Sequence, residues 1–420
     1  MNHSTPKFAL FTAILLGSVF SLMTASAQET SPYSKFGYGI LRDNASAAQL
    51  QMGSTGYAEH SGRQVNAMNP AAYASTDSMT FLFDVGVTVG RYWRKDDSGK
   101  QNDWGGGINY VTMQFPVAKN VGVSIGLVPF SSVGYAFGST IDNGYSAHRG
   151  SGGINQLYTG VSWSPIKGFS AGFNVSYLFG NFGNDAYATT STGVGAVFEQ
   201  VMEVQDYHFR IGAQYTYRVN LYNTVTAGIV FDPGKTLQGK TYVLKYLQNS
   251  SSAPDTIAPG VVKLHGNFSM PSTWGAGLAW DHENRSRAHA EIDLTYQPWS
   301  KAKYMQIENF TSTRLCNRYK IAVGGSYTPD LRGKYFKRIT YRAGAYVNRD
   351  YVMVGNNHVN DWALSCGLGL PTSQSKTIVN IGVEYLNRAA SPANLVSERY
   401  VNLTLGVNFN ATWFFHRQLR

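Results

Sequence analysis

The sequence has only two cysteines and, after its first 27 residues, no long apolar run. Two thiols exclude a scaffold built on disulfides. The missing apolar run excludes a transmembrane helix, which needs about 18 consecutive apolar residues. Charged residues are also few, at 14% of the chain, whereas aromatic residues reach 14%. This composition excludes global disorder.

The charge and the N-terminus indicate where the protein is sent. The net charge is +10, but the basic residues are scattered and form no run of five. We therefore expect no nucleic-acid partner, and attraction to anionic head groups is the better interpretation. Lys7, an apolar stretch at residues 8–23 and Ala25-Ser26-Ala27 are typical of a secretory signal. We predict a signal peptide at residues 1–27; the alternative, an uncleaved anchor, needs a longer apolar stretch.

The main regularity of the remaining chain is an alternation of apolar and polar residues. One example is Phe173, Val175 and Tyr177, which alternate with Asn174 and Ser176. Such stretches run for ten residues or more, whereas the strands of soluble β-sandwiches commonly have five or six. Short connections also take turns with long ones, the long ones falling at residues 94–103, 131–150 and 181–203. Both features are typical of a transmembrane barrel with a polar lumen.

We therefore predict an all-β fold, a transmembrane antiparallel β-barrel of about 14 strands at residues 80–410. Residues 411–420 would form a periplasmic C-terminal tail. The seventh and eighth strands, at residues 224–246 and 261–280, are unusually long, so they either stand above the membrane or break at Pro233 and Pro271. Residues 28–79 do not alternate. They either hang in the periplasm or fold into the lumen as an N-terminal hatch, since about 14 strands enclose more space than side chains fill.

Three parts of the chain resemble the FadL/TodX-type outer-membrane transport family. Asn69-Pro70-Ala71 resembles an element late in the family's hatch, residues 270–280 its Pro-led strand, and residues 291–299 the next strand, which closes on Trp. Residues 31–37 and 398–400 resemble a branch common in Bacteroidetes. The resemblance implies 14-stranded barrels that pass long-chain fatty acids and other hydrophobic compounds, with lateral exit into the outer leaflet. The chain departs from the fatty-acid importers of the family, because no pair of cationic residues that would bind the carboxylate of a fatty acid can be aligned with theirs.

Two groups of residues are candidates for function. On the predicted register, the titratable side chains that face the lumen include Asp84, His208, Arg210, Glu291, Asp293, Arg342 and Glu384. They form either a polar surface that binds a ligand or holds the hatch, or ion pairs between neighbouring strands that stabilise the hydrated inner face of the barrel. The second group, Asn66, Asn69, Pro70 and Ala71, would gate the hatch: the two asparagines would hydrogen-bond it to the barrel and Pro70 would stiffen the connection. Alternatively, Asn-Pro simply shapes a turn before the first strand.

No constellation of residues indicates an enzyme. Glu291 and Asp293 lie two apart on one strand face, but nothing positions a nucleophile against them, and the histidines lack metal-ligand spacing. We expect no metal and no cofactor. Cys316 should face inward and Cys366 lipid, so both should be free.

The leading hypothesis is a bacterial outer-membrane channel for passive uptake of hydrophobic small molecules such as long-chain fatty acids. The alternative is a non-transporting barrel subunit of an envelope secretion or outer-membrane assembly complex. The expected partners are outer-membrane lipids and lipopolysaccharide, a hydrophobic ligand and, in the alternative, envelope proteins.

Overall fold

A computed structural model describes residues 31–96, 99–141, 144–190, 195–248, 255–306, 313–372 and 376–412. The predicted signal peptide and most of the predicted C-terminal tail, residues 413–420, lie outside these ranges. Within them, no helix is long and apolar enough to span a membrane.

Fourteen antiparallel strands form a closed barrel, which confirms the predicted fold class and strand number. Each strand pairs with its neighbour in the chain, and the last pairs with the first, from Thr80 opposite Thr412 to Lys95 opposite Ser397. The strands are β1 (Thr80–Lys95), β2 (Lys100–Ala118), β3 (Val121–Ile141), β4 (Gly144–Ile166), β5 (Phe169–Thr190), β6 (Gly195–Arg218), β7 (Asn223–Asp232), β8 (Thr273–Glu283), β9 (Arg287–Gln297), β10 (Arg318–Thr328), β11 (Thr340–Val354), β12 (Asn357–Pro371), β13 (Ile378–Ser391) and β14 (Ser397–Thr412).

The alternation of the sequence becomes an apolar outside and a polar inside. On β9, Ile292 and Leu294 are 45% and 50% exposed on the outer face, whereas Glu291 and Asp293 are 4% and 2% exposed on the inner face. An apolar outer face on a closed barrel is stable in lipid because pairing between neighbouring strands satisfies the backbone polar groups of the wall wherever the ladder is continuous. The fold and this outer face place the protein in the bacterial outer membrane.

The wall is uneven in height. Strands β7 to β10 have 10 or 11 residues, which is what one tilted crossing requires. Strands β3 to β6 have 21 to 24 residues and therefore continue beyond the membrane. The predicted long loops at residues 94–103, 131–150 and 181–203 were wrong, because most of these residues extend the strands. Beyond the membrane the outer face meets water, so the apolar alternation that marks a strand is no longer required.

The predicted seventh and eighth strands break at the two prolines. β7 ends at Asp232, directly before Pro233, and β8 begins at Thr273, two residues after Pro271. Between them the chain forms an outer hairpin, Gly239–Gln248 and Asp255–Lys263, whose first strand pairs with residues 195–204 of β6. Because Pro donates no backbone hydrogen bond, it ends the ladder at both places.

Residues 31–79, which we call the N-terminal segment, lie against the inner face of the wall. The segment contains two 3-10 helices, Pro32–Lys35 and Pro70–Ser75, a two-residue strand Ile40–Leu41, and one helical turn α1, Ala47–Leu50. Ser46 and Gln49 form a capping box at the start of α1, which satisfies its free N–H groups. A second helical turn, α2 (Tyr335–Arg338), lies between β10 and β11.

Candidate functional site

Two wall carboxylates on β9 hold the N-terminal segment by its backbone. Asp293 accepts hydrogen bonds from the N–H groups of Gly56 and Tyr57, at 2.8 and 3.0 Å. Glu291 accepts one from the N–H of Ala58, at 2.6 Å, and contacts His289 at 3.1 Å. Because β9 places successive inward side chains two residues apart, the two carboxylates can meet three consecutive amides. We call this contact the carboxylate clamp.

Arg342 and Asp84 anchor the region around α1. The Arg342 guanidinium donates to Gln51 Oε1 at 3.0 Å and to Asn380 Oδ1 at 2.8 Å. Asp84 accepts from the Tyr110 hydroxyl at 2.9 Å, and that hydroxyl accepts from the N–H of Ala47 at 2.8 Å. Both predicted residues therefore act on the segment through hydrogen bonds, Arg342 directly and Asp84 through Tyr110.

His208 and Arg210 on β6 meet Asp232 at the end of β7. Arg210 Nε and Nη2 both lie 2.7 Å from the Asp232 carboxylate, a two-point contact. Arg210 also donates to the Met68 carbonyl at 3.3 Å, and His208 Nε2 lies 3.6 Å from Asp232. Asp232 was not among the predicted site residues, although its position directly before Pro233 marked the end of a strand.

The two asparagines of the predicted gate bind mainly within the N-terminal segment. The Asn66 side chain donates to the Gly56 carbonyl at 2.7 Å and accepts from Met68 N–H at 3.0 Å. Asn69 Oδ1 accepts from Ala71 N–H at 3.0 Å and so caps the 3-10 helix that Pro70 begins. Asn69 also reaches the wall at the Ile229 carbonyl, at 3.5 Å. The side-chain partners of Asn66 lie within residues 49–69, whereas its backbone N–H donates to Gln114 Oε1 on β2 at 3.4 Å. Both asparagines therefore also hydrogen-bond the segment to the barrel.

Glycines form the inner face of the wall where the N-terminal segment comes closest to it. A Cβ atom at Gly228 would lie 1.9 Å from the Tyr57 carbonyl oxygen, and one at Gly344 would lie 2.1 Å from the Met52 carbonyl carbon. Any larger residue at these wall positions would push the segment away. The glycines on the polar face of the alternation thus mark where the backbone of the segment packs.

A polar cavity of about 120 Å³ separates the segment from β10 to β14. Its charged lining is Arg42, Asp43, Arg318, Lys320, Asp350, Asp361, Glu384 and Arg388. Lys320 bonds to Asp43, and Arg388 to Asp361 at 3.2 Å; the predicted residue Glu384 accepts from Asn402 at 3.1 Å. Loss of hydration would raise the pKa of Asp43, but Lys320 and Arg318 outweigh it and lower the pKa to about 2.

The half of the lumen farther from the short turns is filled by a buried cluster of apolar side chains, which we call the outer apolar cluster. Tyr38 of the N-terminal segment packs against Trp299 with the two rings tilted and their centroids 5.8 Å apart, and the centroid of the Trp299 ring lies 4.4 Å from that of Tyr351. The other buried members are Val133, Tyr135, Ile154, Leu178, Phe182, Met202, Val204, Leu237, Leu264, Phe268, Met270 and Val352. The segment, the wall and the outer loops therefore share one apolar core.

The wall has a gap between β2 and β3, which we call the wall gap. The two strands pair from Ala118 opposite Val121 only as far as Val111 opposite Leu127. Beyond this point β2 follows β1, and β3 follows β4. The gap opens into a space of about 340 Å³ lined by Gly106, Gly107, Ile108, Pro129, Ser131 and Gly152, among others. The two-residue strand of the N-terminal segment covers the free edge of β3, with Ile40 opposite Ser132 and Leu41 opposite Ser131.

Both cysteines are free, as predicted. Cys316 is buried and donates to the Asp350 carbonyl at 3.2 Å, whereas Cys366 is exposed on the outer face.

The family follows from the whole chain. The family model described as BamG matches residues 9–420. The chain belongs to the BamG family. No curated protein matches this BamG chain.

Solved structures share the fold of this BamG chain at low sequence identity. A FadL homologue from Pseudomonas aeruginosa is 13% identical, with a TM-score of 0.61, and the match covers 88% of this chain and 99% of that one. The toluene transporter TodX of P. putida is 14% identical, with a TM-score of 0.58 and coverage of 89% and 100%. The CymD monoaromatic hydrocarbon channel is 12% identical, with a TM-score of 0.57 and coverage of 89% and 98%. These likenesses establish a FadL-like barrel fold.

Proposed function

We propose that this BamG-family protein is an outer-membrane channel for the passive uptake of hydrophobic small molecules, such as long-chain fatty acids. The wall gap carries the proposal. A molecule that leaves through the gap enters lipid without crossing the ion pairs around the polar cavity. Proteins with the same fold are described as hydrocarbon channels and toluene transporters, which supports the same class of ligand. The proposal requires no catalytic group and no cofactor.

The N-terminal segment acts as the hatch of this channel. Its strand Ile40–Leu41 covers the edge of β3 at the wall gap, so a shift of these two residues widens the exit. The carboxylate clamp and Arg342 hold the remainder of the hatch in place. Asn66 and Asn69, with the turn at Pro70 and Ala71, keep the hatch folded while its other end moves.

Uptake of a radiolabelled long-chain fatty acid tests the proposal. Deletion of the gene should lower uptake, and the wild-type gene should restore it. Ile108→Trp adds bulk in the wall gap, so it should restore uptake several-fold less well. Ile229→Trp is the matched control because it adds the same bulk on the lipid-facing side of β7, away from the gap. Equal uptake with and without the gene contradicts transport, and equal uptake with both variants contradicts the exit route.

A second candidate function is that of a non-transporting subunit of an envelope secretion or outer-membrane assembly complex. The packing of the lumen favours it, since among the described residues the outer apolar cluster and the buried ion pairs occupy much of the barrel interior. Purification from native membranes in mild detergent distinguishes the two functions. A protein partner in stoichiometric amount, together with unchanged fatty-acid uptake in the deletion strain, supports the second candidate.

Two finer proposals concern origin and processing. Residues 31–37 and 398–400 support assignment to the Bacteroidetes branch of FadL-like proteins. Residues 1–27 support export with cleavage after Ala27, and N-terminal sequencing of the membrane form should then begin at Gln28.

A further inference from the structure

The short-turn end of the barrel, which faces the periplasm in this topology, carries an excess of positive charge. Among its described residues, the exposed cations are Lys119, Lys167, Arg218, Arg285, Arg332, Lys334, Lys337 and Lys376, whereas the exposed acids are Asp77 and Glu283. Glu283 already pairs with Arg63 at 3.0 Å and Arg287 at 3.2 Å. The described structure records no ion pair for Lys119, Lys167, Arg218 or Lys334, whereas Lys337 lies near enough to Asp330 to help Arg285 lower the pKa of that carboxyl. The positive charge of this end therefore exceeds what its acids balance.

Exposed apolar side chains stand beside these cations. Val117, Ile166, Leu221 and Phe336 are 56%, 65%, 69% and 76% exposed. Each lies within three residues of a lysine or arginine at the same turn. An apolar side chain that inserts among acyl chains beside a cation that remains at the phosphates is typical of the membrane interface.

The connection between β10 and β11, residues 329–339, presents such a group on a fixed support. Leu331 N–H donates to the Arg285 carbonyl at 2.9 Å, and Asp330 N–H to the Lys337 carbonyl at 2.9 Å. The Asp330 carboxylate accepts from Arg285 Nε at 3.0 Å. These bonds hold α2 in place, and the exposed Phe336 lies between Lys334 and Lys337 in the sequence of this fixed turn.

We propose that the short-turn end binds the anionic head groups of phospholipids in the inner leaflet, with residues 331–338 as the principal site. Lys334 and Lys337 contact the phosphates, and Phe336 inserts below them. The apolar–cation pairs recur at the β2–β3, β4–β5, β6–β7 and β10–β11 turns. They therefore follow the membrane plane around the barrel, whereas the footprint of an acidic protein would occupy one patch. The inference does not depend on transport.

The test uses the full-length protein in nanodiscs of equal parts phosphatidylethanolamine and phosphatidylglycerol. Lipids retained by the protein after partial delipidation are counted by mass spectrometry. Wild type should retain phosphatidylglycerol in excess. Lys334→Gln with Lys337→Gln should lower that excess at least about threefold, given the attraction of each cation to an anionic surface. Phe336→Ser should lower total lipid retention at this site without a change of charge.

The matched control is Lys95→Gln with Lys100→Gln, which removes the same charge at the opposite end of the barrel. This control should leave the lipid excess unchanged. No preference of the wild type for phosphatidylglycerol, or an equal loss in both double variants, overturns the proposal in favour of an acidic protein partner or a diffuse charge effect. Glycerol phosphate at the same phosphate concentration should not displace the lipid; displacement would indicate a site for free phosphate and also overturns it.

Discussion

Asp293→Ala should loosen the N-terminal segment at the carboxylate clamp. The substitution removes the acceptor of two buried N–H groups, those of Gly56 and Tyr57. Each buried donor left without a partner costs about 1–3 kcal/mol, so the docked segment should lose roughly 2–6 kcal/mol. Since 1.4 kcal/mol is a factor of ten in an equilibrium constant, even the lower value raises the undocked population by about 30-fold.

Hydrogen–deuterium exchange of residues 56–58 in detergent micelles measures this effect. Exchange should accelerate at least about 30-fold in Asp293→Ala and less in Asp293→Asn, because the amide oxygen still accepts a hydrogen bond. Asp77→Ala, which removes an exposed carboxylate from the same segment, should leave the exchange unchanged. Acceleration below about threefold in Asp293→Ala would refute the claim that the wall carboxylates hold the segment.

Three further predictions concern the segment and the wall. Because the pKa of Asp43 is lowered to about 2, its ion pair should stabilise the fold above its ordinary pKa near 4 and lose this effect as the pH falls towards 2. The difference in melting temperature between wild type and Asp43→Asn should therefore shrink between pH 4 and pH 2; a constant difference contradicts the pairing. Gly228→Val should expose the N-terminal segment to protease, because a Cβ atom there would lie 1.9 Å from a carbonyl oxygen of the segment. Gly183→Val is the control and should not expose it, because the nearest atoms to a Cβ there lie 4.0 Å away. Equal cleavage of both variants argues against close packing of the segment on the wall. A hydrophobic maleimide should label Cys366 and leave Cys316 unlabelled until the protein is denatured, and early labelling of Cys316 would place it outside the core.

The sequence predicted the membrane-crossing part of the wall because lipid imposes a rule on each residue there. On β9 the apolar face of Ile292 and Leu294 has to alternate with the polar face of Glu291 and Asp293. The same rule fails beyond the membrane, which is why residues 181–190 of β5 could not be recognised as strand. The outer hairpin was missed for the same reason, although Pro233 and Pro271 marked where the wall would break.

The candidate site was predictable only as a set of inward-facing positions. The alternation of inward and outward side chains along a strand placed Asp84, Arg342 and Glu384 on the lumen side. It could not identify the residues with which they form hydrogen bonds. The partners in the N-terminal segment are distant in sequence: Arg342 donates to Gln51, 291 residues away, and Lys320 meets Asp43, 277 residues away. Such pairs depend on how the N-terminal segment threads the barrel, and no local pattern contains that information.

Locking the segment to the wall tests the central claim, that a hydrophobic molecule leaves through the wall gap when the strand Ile40–Leu41 moves. Leu41 and Ser131 are opposed in an antiparallel pair, whose Cα atoms lie about 4.5–5.5 Å apart and so suit a disulfide. Val123→Cys with Val161→Cys, a pair within the β3–β4 wall, is the matched control.

Fatty-acid uptake into proteoliposomes should be measured for both double-cysteine variants, oxidised and reduced. Leu41→Cys with Ser131→Cys should lose uptake on oxidation and regain it on reduction, whereas the control should transport equally in both states. Equal uptake by the oxidised and reduced forms of the locked variant would contradict the account.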